Sequence, residues 1–385
     1  MKVGLLLSHA LHERNLVASG LAQKIADKHE LVILRPKEIG AVGGPWRRRV
    51  REAFVLASMV QREPGSRTYA FKLRQRRPLA PRLEIRAFRI LRDRGVDLED
   101  AWRRWEARQR PPWAALQATT GLDALLWPTL IHQHNEEVEL VKSARQGQKC
   151  RIVAAPASWD SLTSKGAFLV QPDAMLVWGE ASKRHAVQWH GMTAGQVTVT
   201  GPPHFDFYHE PRRVMPTRPS DAPILVAGTS VHYWQDELAM VAFLRSRLNG
   251  VVHRPHPRRG GGWTWAAMEE LRHQLDCAVC VVAAFSTVVI EAALMGLPSL
   301  LVGFAQSTHG PAMAGYHFHL EHMAEIARWS GVHLCRDPEE LVHECRAYLH
   351  GKCADEAALR IAALEVARSD GHAQERILEA LDSWA

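Results

Sequence analysis

The stretch VVAAFSTVVIEAALMGLPSLLVGF (Val281–Phe304), with the residues that lead into it, admits few folds. It holds two apolar runs, 278–284 and 298–304, each too short for a helix and too continuous for a strand with one wet face. Such runs belong to a parallel sheet covered on both sides. Between them, Phe285, Ser286 and Thr287 read as a turn, residues 288–295 as a helix, and Gly296 as its stop. Ser286 and Thr287 then stand at a helix start, where free backbone N–H groups and the helix dipole favour an anion such as phosphate. Glu291 follows one turn later on the same face. In so apolar a segment it needs a hydroxyl or a cation if it points inward. Two readings result: a seat for the diphosphate and ribose of a nucleotide, or an ordinary cap with a solvated glutamate.

The rest of the chain keeps the same rhythm. A strand at 3–7 ends in the loop Ser8-His9-Ala10-Leu11-His12-Glu13-Arg14-Asn15, and a helix to about His29 and a strand at 31–34 follow. Strand, loop, helix, strand is the first unit of a doubly wound fold, whose ligands lie at the carboxyl ends of the strands. The loop lacks the GxGxxG fingerprint, which argues against a dinucleotide there. Further strands are expected at 123–127, 151–155, 173–178, 196–200, 223–227, 250–254 and 332–335. The expected class is therefore α/β, with two Rossmann-like doubly wound parallel-sheet domains. The first spans 1–207 and carries a basic helical insertion over about 45–112; a proline-rich linker at 208–222 leads to the second, 223–385, which ends in helices.

Charge is concentrated in the insertion. Fifteen Arg and Lys residues lie between Arg47 and Arg94 against four acidic ones, so this block suits an anionic partner. A membrane surface fits, with Phe54, Phe71 and Phe88 interleaved, as does a solvated face with those aromatics buried. No run approaches the length of a membrane span, and MKVGLLLSH is too short for a signal-peptide core. The six cysteines suggest no disulfide framework, so a cytoplasmic setting is expected, at most peripheral to the inner face of the membrane. Cys277-Ala278-Val279-Cys280 has no second pair and enters a buried strand, so it reads as packing. His309, His317, His319 and His322 read as loop residues without converging metal partners. No DxD-like pair occurs, and a metal-independent reaction with no cofactor is expected.

Three loops of the second domain follow strands: Gly228-Thr229-Ser230, Arg254 to Arg258, and Phe285 to Thr287. They combine small hydroxyls, free amides, a guanidinium and an imidazole, which together make a phosphate site. The segments SHALHERN, SWDSLTSKG, PDAMLVWGEASKRHA, VTVTGPPHFD, VVHRPHP and FSTVVIEAALMGLPSLL, in this order, resemble bacterial glycosyltransferases of the GT-B fold. The pattern is also similar to CDP-glycerol glycerophosphotransferases, which carry a comparable R-x-H-P loop, and more distantly to the UDP-N-acetylglucosamine 2-epimerase fold. The resemblance spans nearly the whole chain and is weakest in the insertion. It implies a nucleotide-diphosphate donor on the second domain and an acceptor on the first. Arg254 and His256 would meet the diphosphate with Ser286 and Thr287 beside it, and Glu291 would bind ribose or donor hydroxyls. Related sequences more often carry Asn in place of Ser161, which removes an amide from the SWDSLTSKG loop.

Transfer to a hydroxyl needs a base and cationic stabilisation of the leaving diphosphate. His9, His12 and Asp160 are the candidate bases, with Lys165 and Asp206 as acceptor-side or loop support. The expectation is a glycosyltransferase of surface polysaccharide or glycolipid assembly. Its partners would be a nucleotide-sugar and a glycan or lipid-linked acceptor, with an anionic membrane surface met through the Arg47–Arg94 region. A CDP-linked phosphopolyol transferase and a non-catalytic nucleotide-sugar or polysaccharide binding protein are the alternatives. Only the arginine block speaks for nucleic acid.

Overall fold

The short apolar runs become strands throughout this computed structural model, which describes residues 1–41, 43–75, 79–131, 134–147, 150–210, 222–230, 233–259, 262–305 and 313–384. The chain divides into two units, residues 1–204 with 372–385, and residues 205–371. In the first, β1 (Lys2–Leu6), β2 (Glu30–Leu34), β3 (Ala124–Thr129), β4 (Arg151–Pro156), β5 (Ala174–Val177) and β6 (Val197–Val199) form one parallel sheet in the order β2-β1-β3-β4-β5-β6. In the second, β7 (Ile224–Ala227), β8 (Val251–Arg254), β9 (Cys280–Ala283), β10 (Ser299–Val302) and β11 (Val332–Cys335) form another, in the order β11-β10-β9-β7-β8. Both doubly wound parallel sheets expected from the sequence are present.

Alternation along the strands explains why the runs are continuous. Val3, Leu5 and Leu126 pack on one face of the first sheet, and Leu6, Leu125 and Trp127 pack on the other. With both faces covered, neither set can be polar. Each sheet also reverses its winding once: after β2 the chain returns to add β3 beside β1, and after β8 it returns to add β9 beside β7. At such a switch point the two neighbouring loops diverge to opposite faces and leave a crevice at the carboxyl edge.

Three boundaries differ from expectation. The helix Ala373–Asp382 belongs to the first unit, because Ile377, Leu378 and Leu381 bury against Leu21 and Ile25. Asp206 and Tyr208 belong to the second unit, and Tyr208 is fully buried there and not part of a linker. Residues 211–221, the remainder of the expected linker, lie outside the described residues. The expected loop 8–15 is already helical from Ala10, with Ala10–His12 running into a π-helical turn, Glu13–Ala18. Turns of that kind interrupt helices at local strain and are frequent at functional sites.

The insertion is helical as expected: Pro45–Arg62, Arg67–Arg74, Leu79–Asp93 and Leu98–Ala107. Ser66 and Asp97 cap two of these helices by accepting the backbone N–H of Tyr69 and Asp100 at 3.3 and 3.0 Å. Phe54 and Phe71 are buried and Phe88 is half-buried, so the aromatics serve packing. Several arginines are internally paired. Arg51, 1% exposed, forks onto Glu106 at 2.8 and 3.0 Å and reaches Glu139 at 2.6 Å. Arg76 and Arg77 lie outside the described residues.

Candidate functional site

At the switch point of the second unit, the loops after β7 and β9 are bonded to each other. The Thr229 hydroxyl, nearly buried, donates to the Phe285 carbonyl at 2.6 Å. The Gly228 N–H donates to the Arg254 carbonyl at 2.8 Å, which adds the loop after β8. Under this junction lies Glu237, fully buried at the start of the helix Glu237–Arg247. Its carboxylate accepts the Thr229 N–H at 2.8 Å, stands 2.9 Å from His253 Nε2, and lies 3.6 Å from the Arg259 guanidinium. A Cβ on residue 228 would come within 2.5 Å of Glu237 Oε1 and 3.0 Å of the Arg254 carbonyl, so only glycine fits. Sequence reasoning found the loops but missed Glu237, whose place one residue after Asp236 reads as a solvated first-turn acid.

The other expected donor residues are placed as follows. Ser230 is half-buried, and its carbonyl caps the turn by accepting the Tyr233 N–H at 2.8 Å. Arg254 contributes its backbone to the cluster, whereas its guanidinium lies on the helix Trp265–Cys277. There it donates to the Ala267 carbonyl and to Gln274 Oε1 at 3.0 Å. His256 is half-buried and edge-on to Trp263, and its Nδ1 accepts the Arg258 N–H at 3.2 Å. Burial first, then Arg258, holds its pKa below the ordinary value. Ser286 Oγ accepts the Val288 N–H at 3.2 Å beside Thr287, both half-buried. Glu291 is buried and accepts the Tyr208 hydroxyl at 2.9 Å, the partner that its apolar neighbourhood demanded. Tyr233, Phe285 and Tyr316 form an aromatic cluster at this edge, with centroids 4.7 Å apart for Tyr233–Phe285 and 5.4 Å for Tyr233–Tyr316.

The first unit repeats the arrangement at its own switch point. The Ser8 hydroxyl, after β1, donates to Glu137 Oε1 at 2.7 Å, in the helix His134–Gly147 that follows β3. Trp127 Nε1 and Thr129 Oγ1 donate to Glu137 Oε2, each at 2.6 Å. Thr129 Oγ1 also accepts the N–H of Ile131, whose φ of 63° is unusual for a β-branched residue. Glu137 is fully buried, and burial pushes its carboxyl up to about 7 although three donors oppose the shift. Sequence reasoning missed it too, since Glu136, Glu137 and Glu139 read alike.

His12 is fully buried, and its Nδ1 lies 3.4 Å from both the N–H and the hydroxyl of Ser8. Its Nε2 has no partner among the described residues, and the ring lines a cavity of about 30 Å³ with Asn15, Trp178, Thr200 and His204. Burial, then His9, lowers its pKa to about 3. Near neutral pH His12 is therefore an uncharged ring, and with Nδ1 facing the Ser8 N–H it presents Nε2–H to the cavity. His9 Nδ1 likewise accepts the Leu11 N–H at 3.0 Å, capping the helix. Asp160 is buried and accepts Ser158 and Ser164 hydroxyls at 2.6 and 2.8 Å, with Lys165 Nζ at 3.1 Å. Asp160 and Lys165 thus hold the SWDSLTSKG loop together. Asp206 is half-buried in the second unit, its carbonyl 2.5 Å from His209 Nδ1.

Of the histidine run, His317 and His319 sit on the helix Met313–His319 and His322 on the helix Glu321–Ile326, in place of the expected loop. His317 and His322 are buried, and His309 lies outside the described residues. Among the described residues, no group of three His, Cys, Asp or Glu side chains is arranged to hold a metal ion.

Two parallel sheets, each wound on both faces and each bridged at its switch point, define a two-unit doubly wound α/β protein. The chain is similar to the UDP-GlcNAc 2-epimerase of Methanocaldococcus jannaschii, with TM-score 0.49 and 11% identity over 100% of both chains. It is similar to a glycosyltransferase from Rickettsia africae, with TM-score 0.47 and 10% identity over 100% of this chain and 98% of the other. It is also similar to the wall teichoic acid polymerase TagF, with TM-score 0.41 and 10% identity over 69% of this chain and 74% of the other. No protein family matches the sequence, and no curated protein matches it.

Proposed function

We propose that this chain is a GT-B-type transferase that moves a sugar from a nucleotide-activated donor to a hydroxyl acceptor, in bacterial surface polysaccharide or glycolipid assembly. The observation that carries the reading is the Thr229–Phe285 bridge across the β7/β9 switch point, braced by Glu237 under a position only glycine can fill. Backbone amides, the Ser286 and Thr287 hydroxyls and the Tyr233–Phe285 rings at one sheet edge suit the phosphates and base of a nucleotide. The order of the glycosyltransferase-like segments supports it as well.

The transfer needs a base for the acceptor hydroxyl, whose oxygen bonds to the transferred carbon as the nucleoside diphosphate leaves with the bonding electrons. On the first unit, Ser8, 2.7 Å from Glu137 Oε1, joins His9, His12 and Asp160 as a candidate for that role.

The test is calorimetric titration of the full chain with UDP, GDP, CDP and CMP, beside a variant carrying Ser286→Ala and Thr287→Val. One nucleoside diphosphate should bind, and the variant should weaken it about tenfold. Selective CDP binding would move the reading to a phosphopolyol donor. Failure of all four to bind would overturn it.

A further inference from the structure

We propose that the outward face of the helix Leu79–Asp93 docks the first unit onto an anionic bilayer surface. The helix is apolar on two sides. Its inner side buries Ile85 and rests Phe88 against the cluster of Leu56, Val60, Tyr69 and Leu73. Arg89 and Arg92 are drawn to Glu63 at 2.8 and 3.3 Å. That is the packing expected of an amphipathic helix on a core.

Its other side has no such explanation. Leu79, Leu83 and Ile90 are 72, 58 and 45% exposed. At about 100° per residue they fall in one stripe on the side opposite Ile85. Exposed aliphatic side chains gathered on one helix face, with Arg86 between Leu83 and Ile90, mark a surface that is covered in use. Arg82, Arg86 and Arg94 are exposed along the flank and at the end of this stripe. The acids of the helix are engaged, Glu84 by Arg49 at 2.7 Å and Asp93 by Arg92 at 2.8 Å. Aliphatic side chains with guanidinium groups beside them match acyl chains beneath phosphate headgroups. The stripe carries no Tyr or Trp, the anchors that protein partners favour. Among the described residues no helix is long and apolar enough to cross a membrane.

The contact uses only part of the Arg47–Arg94 region that the sequence pointed to. Arg51 is buried in ion pairs and Phe54 and Phe71 in the core, so these residues do not form it.

The experiment is co-sedimentation of the full chain with phosphatidylglycerol–phosphatidylcholine vesicles and with phosphatidylcholine alone. It compares wild type, the combined Leu79→Ser, Leu83→Ser and Ile90→Ser variant, and the combined Arg86→Glu and Arg94→Glu variant. Wild type should pellet with the anionic vesicles only, and each variant should lower the bound fraction about tenfold without shifting the melting temperature. Wild type remaining in the supernatant would overturn the proposal, as would undiminished binding by the serine variant. Light scattering that finds a wild-type dimer dissociated by the serine changes would assign the stripe to a second copy of the chain.

Discussion

The Ser8 hydroxyl donates to the Glu137 carboxylate across 2.7 Å, joining the end of β1 to the first turns of the helix after β3. The bond spans the place where the first sheet reverses its winding. It anchors a carboxyl group that no cation neutralises among the described residues.

That carboxyl sets a pH dependence. Its value rises from the ordinary 4.5 to about 7, so its contribution to stability is full below about 4.5 and lost as pH rises through 7. Urea unfolding at pH 5 and pH 8 should show wild type losing on the order of 3 kcal/mol relative to Glu137→Gln. A parallel pH response of the two proteins would show that Glu137 does not titrate there. Glu137→Gln should leave nucleotide binding unchanged.

The buried histidines act in the opposite sense. His12 and His190 fall to about 3 and His317 to about 4, mainly through burial. Their stabilisation is present above about 6.5 and is lost as pH falls toward those values, by about 1.4 kcal/mol per pH unit for each proton taken up on unfolding. Long-range proton–nitrogen NMR should find His12 as the neutral Nε2–H tautomer from pH 8 down to about 5. Titration of His12 near 6.5 would contradict its enclosure in the first unit.

Gly228→Ala should displace Glu237, destabilise the protein by about 1–3 kcal/mol and weaken nucleotide binding at least about tenfold. Gly195→Ala, where a Cβ meets nothing within 4 Å, should stay within about 0.5 kcal/mol of wild type. Thermal melts and the calorimetry above read both.

Arg51→Met should cost about 3–5 kcal/mol, because it strands Glu106 and Glu139 in the interior beside Lys142 and Arg47. Arg48→Ala, at a side chain 67% exposed and paired with Glu52 at 3.0 Å, should change stability by less than about 0.5 kcal/mol. Equal effects in urea unfolding would contradict this division of the arginine block.

The sequence by itself determined the layering. A parallel strand buried on both faces must be apolar at every position, so runs such as 278–284 and 298–304 announce their sheets, and the loops that follow them announce the edge where ligands sit. The Ser286-Thr287 pair, at the turn into a helix, was legible for the same reason, whereas the need for glycine at 228 comes from Glu237 and the Arg254 carbonyl. Only the tertiary structure decided which polar side chains turn inward. Glu137 and Glu139 look like the half-buried Glu136, and Arg51 looks like Arg48, until distant elements close over them. Burial is a sum over contacts far apart in sequence. It therefore made Glu237 a brace, lowered the basicity of His12, returned the last helix to the first unit, and left Leu79, Leu83 and Ile90 facing water.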